Sequence, residues 1–171
     1  MENDKFSITT LCSSCKKITC CTNFFPPLAY PSDLDKLKHM GKSEGDFLKN
    51  VIIKGKTVKT IKKKDNSTTC MFWDEENRLC SIYENRPFDC KMFPFDVFWT
   101  DNEYHWIVYS CNPDSDWTWC EEYLQKLEAD PQFSEMMKNN ETIRLTSESV
   151  ESLADIEEPP YAILRKVNWK A

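Results

Sequence analysis

The chain has 171 residues, a formal charge of −6, 40% hydrophobic residues and 13% aromatic residues. That length suits one domain with a buried core and excludes two full ones, and the apolar content excludes a disordered chain. Its three glycines, Gly41, Gly45 and Gly55, fall in no phosphate-cradling pattern, which excludes a Walker-type loop or a dinucleotide fingerprint. The acidic balance argues weakly against nucleic acid as the partner.

Nine cysteines dominate the chemistry, against only two histidines, His39 and His105. A thiolate is a soft ligand that selects zinc, copper(I) or iron-sulfur clusters, so any metal here is expected to be held mainly by sulfur. The segment MENDKFSITT lacks the apolar run of a secretory signal, and no stretch approaches the ~20 apolar residues that span a bilayer. These features read as a cytoplasmic chain with no membrane partner. In that compartment thiols stay reduced, and an odd count of cysteines also suits metal binding better than a disulfide framework.

In chain order, Cys12-x-x-Cys15 and the adjacent Cys20-Cys21 form the first cluster. A C-x-x-C loop turns back on itself and can place both sulfurs on one ion. Neighbouring side chains in an extended segment point opposite ways, so Cys20 and Cys21 are expected to serve different surroundings. Phe24-Phe25-Pro26-Pro27 interrupts regular structure. A helix opens at Pro31 with Ser32 as its cap, Asp33 and Asp35 at its positive end, and Leu34, Leu37 and Met40 on one apolar side before Gly41. His39, near its end, reads as an exposed residue and not a ligand.

Residues 51 to 64, VIIKGKTVKTIKKK, read as strands turning at Lys54-Gly55-Lys56. Lys54, Lys56, Lys59, Lys62, Lys63 and Lys64 make the one basic patch. Its simplest role is a solvated edge, where lysine discourages sheet-to-sheet pairing; the alternative is a docking surface for an acidic partner or nucleic acid.

The central stretch from Cys70 to Pro94 carries Cys70, Cys80 and Cys90 at equal steps of ten. Met71-Phe72-Trp73 leads into the turn-like DEEN and Leu79-Cys80-Ser81-Ile82-Tyr83 leaves it, which predicts a small hairpin. Arg86-Pro87 then starts a short helix bearing Cys90. A guanidinium at Arg86 would offset thiolate repulsion or donate hydrogen bonds to sulfur, and a surface ion pair with Glu84 or Asp89 fits the same residue equally well.

A second hairpin is expected where residues 95–99 and 104–109 flank Thr100-Asp101-Asn102-Glu103, delivering Cys111 from its rim. His105 alternates with Trp106 and reads as solvent-facing, though an imidazole in a sulfur site is chemically sound. From about Asp116 to Ala129 a helix places Trp117, Cys120, Leu124 and Leu127 on one face, with Cys120 toward the core. Cys120 is then either a small hydrophobe or, in company with Cys111, a ligand. Asp130-Pro131 starts another helix with Phe133, Met136 and Met137, and a third is expected from Thr146 to Ala154, capped at Thr146 or Ser147. The tail from Pro159 to Val167 returns as an edge strand or stands as a partner-binding arm.

The series C-x2-C-x4-CC, then C-x9-C-x-I-Y-x-x-R-P-x-x-C-x-x-F-P, then two later cysteines, resembles the YkgJ-type cysteine-cluster proteins, a family described as chelating zinc or iron. The resemblance runs from about Cys12 to Cys120, and the segment from Ile82 to Pro94 is its most specific part. Eight cysteines typify that family, and its usual first cluster is two residues shorter. The related flagellin lysine methylase would imply an iron-sulfur cluster and S-adenosylmethionine; the cluster is carried over as an expectation, the methyl transfer is not.

The reading that follows is a small α+β domain stabilised by metal, with short antiparallel hairpins and flanking helices. Residues 1–130 form the cysteine-cluster part and 131–171 a helical extension packed on it. The candidate ligands are Cys12, Cys15, Cys20, Cys21, Cys70, Cys80, Cys90, Cys111 and Cys120, holding zinc or an iron-sulfur cluster such as 4Fe-4S in a binding or redox role. A cluster-dependent enzyme modifying a protein or peptide, and a zinc-supported adaptor with a protein partner, are the alternatives; whether the protein is an enzyme stays open.

Overall fold

A computed structural model describes residues 19–22, 26–109, 117, 120–153 and 161–170. Cys12, Cys15 and Cys111 lie outside the described residues, as do Phe24, Phe25 and the start expected for the helix near Asp116. What is described is an α+β arrangement of short antiparallel sheets and flanking helices.

Helix α1 (Thr19–Thr22) is a single turn. Helix α2 (Pro31–His39) begins with proline at its first position, where a missing N–H costs nothing. Its cap is Tyr30 and not Ser32: Tyr30 N donates to Asp33 Oδ2 at 3.0 Å, and Ser32 sits inside the first turn, its backbone N on Glu135 Oε1 at 3.2 Å. Leu34 and Leu37 are buried, but Met40 is exposed, because it is the C-cap where the helix ends and Gly41 (φ +74) then turns the chain. Helix α3 (Glu44–Phe47) leads straight into strand β1 (Leu48–Ile53).

Strand β1 pairs with β2 (Lys56–Ile61) from Leu48↔Ile61 to Ile53↔Lys56. Only Lys54 (φ 47) and Gly55 (φ 83) lie between them, both left-handed, the two-residue turn whose twist matches a hairpin. Strands β3 (Trp73–Asp74) and β4 (Leu79–Cys80) form the central hairpin. Asp74 Oδ1 accepts from Glu76 N and Asn77 N at 3.0 and 3.1 Å, so the DEEN turn is closed by its own carboxylate. A 3₁₀ turn (Tyr83–Asn85) and helix α4 (Phe88–Met92) follow.

Strands β5 (Phe95–Thr100) and β6 (Glu103–Tyr109) make the second hairpin, turning at Asp101 (φ 53) and Asn102 (φ 63). Helices α5 (Cys120–Ala129), α6 (Pro131–Lys138) and α7 (Asn140–Leu153) follow, and strand β7 (Tyr161–Lys166) adds antiparallel to β6. The tail thus returns as an edge strand. Asp130 caps α6 by accepting from Gln132 N at 2.8 Å. Helix α7 starts at Asn140, six residues before the expected Thr146. Thr146 and Ser147 lie inside it, their hydroxyls donating to the Ile143 carbonyl one turn back at 2.8 Å each, which is the other habit of these side chains.

Two apolar cores result. The larger gathers Phe88, Phe95, Trp106, Leu124, Phe133 and Met136 under the three-stranded sheet, with Trp106 and Phe133 stacked at 5.4 Å. The smaller joins Leu34, Leu37, Phe47, Ile61, Phe72 and Ile82, where α2 and the first two hairpins meet. Between them lies Asp33, fully buried: it accepts from Tyr30 N (3.0 Å), Phe88 N (3.0 Å) and Gln132 Nε2 (2.8 Å), joining α2, α4 and α6. On the far side Glu128 accepts from Trp106 Nε1 and Arg165 Nη1, each at 2.8 Å, and so fastens β7 to α5 and β6. Asp33→Ala strands three buried donors at roughly 1–3 kcal/mol each, partly relieved by water, so urea unfolding is expected to report a loss of about 3–5 kcal/mol; a loss below about 1 kcal/mol would show that Asp33 is not the junction.

Candidate metal centre

The first cysteine cluster and the central stretch are far apart in sequence and meet through the backbone. Cys70 N donates to Cys21 O at 2.6 Å, and Thr68 Oγ1 donates to Thr22 O at 2.6 Å, so α1 is laid against the loop that carries Cys70. That loop is held on its other side by a bridge between Lys63 and Cys70. Trp73 N donates to Cys70 O at 3.0 Å, and across the central hairpin Trp73 pairs directly with Cys80. The segments carrying Cys21, Cys70 and Cys80 thereby adjoin, and Cys70 and Cys80 pack against the smaller core. All three cysteines are half-buried.

Cys90 is half-buried on α4, whose place is set by Phe88 and Met92 in the larger core and by the bond from Phe88 N to Asp33. Of Cys20 only the backbone, within α1, is described. Among the described residues no three His, Cys, Asp or Glu side chains stand together so as to hold one ion.

Cys120 occupies different ground. It is 9% exposed in the larger core, on the inward face of α5 with Leu124 and Leu127, and Trp117 packs against the same core. Burial, with Glu121 adding to it, pushes its thiol above the ordinary range and so disfavours the thiolate that a metal needs. Arg86 turns back on its own segment: its guanidinium lies 3.8 Å over the Tyr83 ring and Nη1 donates to Tyr83 O at 2.7 Å, in place of an ion pair to Glu84 or Asp89. His39 is exposed, its Nδ1 2.6 Å from Asp35 O on its own helix. His105 is half-buried with an enclosed Nδ1 that has no hydrogen-bond partner, so it does not face open solvent.

The lysines of the first hairpin are largely engaged. Lys56 pairs with Glu141 at 2.5 Å, Lys59 with Glu44 at 2.8 Å and Lys64 with Glu75 at 3.3 Å, at half-buried or exposed positions where such pairs contribute little energy but cover charge.

Two acids whose long-range partners the sequence did not reveal are Asp89, beside Cys90 on α4, and Asp96, on β5. Asp89 Oδ2 accepts from Leu28 N at 2.9 Å, and Asp96 accepts from Val97 N (2.7 Å) and the Tyr109 hydroxyl (3.0 Å). Burial and then the Asp96 charge raise Asp89 to about 8, and burial raises Asp96 to about 6. Neither carried a motif, since a lone aspartate in a helix or strand reads as surface until its long-range partners are known.

The half-buried thiols of Cys21, Cys70 and Cys80, carried by segments that backbone bonds join, are candidate ligands for a metal. A family model described as CxxCxxCC, "Putative zinc- or iron-chelating domain", matches residues 11–112, and the chain belongs to that family. No curated protein and no solved structure gives a significant match. The protein is accordingly a metal-binding one whose ion is zinc or iron. The matched span holds eight of the nine cysteines and ends before Cys120. No helix among the described residues is long and apolar enough to cross a membrane.

Asp96 yields a pH prediction with a definite sign. Its carboxyl ionises near 3.8 when unfolded and near 6 when folded, so its protonated form favours the fold, and that stability, full below pH 3.8, is lost as pH rises to about 6. Asp96→Asn keeps the shape without the charge. Urea unfolding in buffer free of added divalent ions is expected to show the variant gaining on the wild type between pH 4 and 7; a constant difference across that range would contradict the assignment.

Proposed function

We propose that Cys12, Cys15, Cys20, Cys21, Cys70, Cys80, Cys90 and Cys111 hold zinc or iron as thiolates in two four-thiolate centres, and that Cys120 is a packing residue. The observation that carries this reading is the bond from Cys70 N to Cys21 O, which seats the end of the first cluster beside the central cysteines. Four thiolates saturate one tetrahedral zinc or one four-iron cluster, and eight make two such sets. A complete set draws on the cysteines outside the described residues as well as on Cys21, Cys70, Cys80 and Cys90, in keeping with the absence of a closed group among the latter alone.

The role proposed is metal binding, with redox work if the centre is a cluster. Zinc would brace the loops on the order of 10 kcal/mol per site, as in small zinc domains, and a cluster would add one-electron chemistry. An enzyme acting on a protein or peptide would need an open coordination position, which a saturated set does not leave. The adaptor alternative draws little from the lysine hairpin, because Glu44, Glu75 and Glu141 already answer three of its cations.

Elemental analysis with a visible spectrum, on protein purified without air, tests this reading. Either two equivalents of zinc without colour, or iron with inorganic sulfide and a brown colour, is expected. Cys21→Ser, Cys70→Ser and Cys80→Ser should each remove about one centre's worth of metal, while Cys120→Ser retains the wild-type content. Protein without zinc or iron, or a loss in Cys120→Ser equal to that in Cys70→Ser, would overturn it.

A further inference from the structure

The three-stranded sheet has two edges, and they end differently. Along β5 the N–H groups of Val97 and Trp99, two residues apart and so on one edge, are taken by Asp96 Oδ1 at 2.7 Å and by Ser147 Oγ of α7 at 3.0 Å. Side chains thus answer the donors that a further strand would need. The other edge is β7, and among the described residues no hydrogen bond beyond its ladder to β6 reaches the backbone from Tyr161 to Leu164.

An open edge is a template for another strand, and proteins commonly blunt one with lysine, proline, a bulge or a covering element. Tyr161, Ala162 and Ile163 carry no charge, and Tyr161 and Ile163 are 39% and 51% exposed, with the Tyr161 ring held 5.3 Å from that of Phe98. These residues pair regularly with Tyr109, Val108 and Ile107, and the register shift falls after them, leaving Leu164 without a ladder partner. The basic end of the strand is already neutralised, Arg165 by Glu121 at 2.7 Å and Glu128 at 2.8 Å, and Lys166 by Glu103. The edge therefore offers backbone bonds and apolar surface, and its charges are spent within the chain.

We propose that β7 pairs antiparallel with the β7 of a second copy of this chain, joining their sheets into one across a two-fold axis. With Ala162 on the axis, Tyr161 of one copy lies directly across from Ile163 of the other, an aromatic-to-β-branched pair of the kind that stabilises antiparallel strands. The ends bearing Arg165 and Lys166 then project in opposite directions, so like charges do not meet. The outer edges of the joined sheet are the two β5 strands, whose donors Asp96 and Ser147 already take, and assembly stops at the dimer. Because the regular segment is only Tyr161 to Ile163, the contact is small and belongs to the weak, reversible class of interfaces. The inference is independent of the thiolate centres, since it uses none of their residues.

Sedimentation velocity of the full-length protein, purified without air and with its metal in place, tests this over a hundredfold range of concentration. A reversible monomer-to-dimer equilibrium is expected, with no larger species. As a second readout, the backbone amides of Tyr161 to Ile163 should exchange with deuterium more slowly where the dimer predominates. Ile163→Lys sets a charge opposite Tyr161 on a side chain that is already exposed, and should weaken the dimer at least tenfold. Ile52→Lys alters an apolar residue of β1 that is 73% exposed and should leave the dimer as strong as in the wild type, with metal content unchanged in both variants. A monomer at every concentration, growth beyond the dimer, or equal weakening by the two substitutions would overturn the proposal, the first of these leaving the edge to an extended peptide from another protein.

Discussion

The buried carboxylate of Asp33 is the constraint on which the arrangement depends. An aspartate with no exposed surface is costly unless its oxygens are hydrogen-bonded, and here the donors come from three separate segments. The same bonds that satisfy it fix the entry of α2, the start of α4 and the position of α6. Cys90 stands on the second of these, two residues beyond Phe88. A charge in the interior thus becomes a positional device for a thiol.

The two cores divide the labour. The larger is a conventional apolar interior in which aromatic side chains from the sheet meet α5 and α6, and it takes in Cys120 as one more small hydrophobe. The smaller is thin, is shared by α2 and two short hairpins, and leaves Cys70 and Cys80 at its margin with Cys21 beside them. Hairpins as short as β3 and β4 are marginal in water by themselves. Metal bound by their thiolates would supply what the smaller core lacks in area, which is the physical reason to expect ligands on this side and not the other.

Much of this was legible from residue order, and the failures have a common cause. Gly55 and Asp101-Asn102 announced their turns because left-handed backbone is cheaper at glycine, aspartate and asparagine than at other residues, and α5 announced its inward face because Cys120, Leu124 and Leu127 repeat at helical spacing. Ser32 and Thr146 misled because the same hydroxyl that caps a helix also bonds backward within one, as Thr146 does, or outward to another helix, as the Ser32 hydroxyl does to Glu135. Arg86 was weighed for sulfur or for an acid and found an aromatic ring three residues away. Asp33 and Asp89 were read only as a helix-end acid and a partner for Arg86, and Asp96 not at all, since the buried role of each is defined by partners distant in sequence or by a fold-dependent neighbour. Whether Cys120 packs or ligates is likewise a matter of surroundings, and spacing alone carries only its direction.

X-ray absorption at the zinc or iron edge tests the central claim most directly. The account predicts a first shell of sulfur alone, at about 2.3 Å for zinc, with iron-iron scattering added if a cluster is present. A shell dominated by nitrogen or oxygen would contradict it, and would move the metal from the thiols to histidine or to the carboxylates.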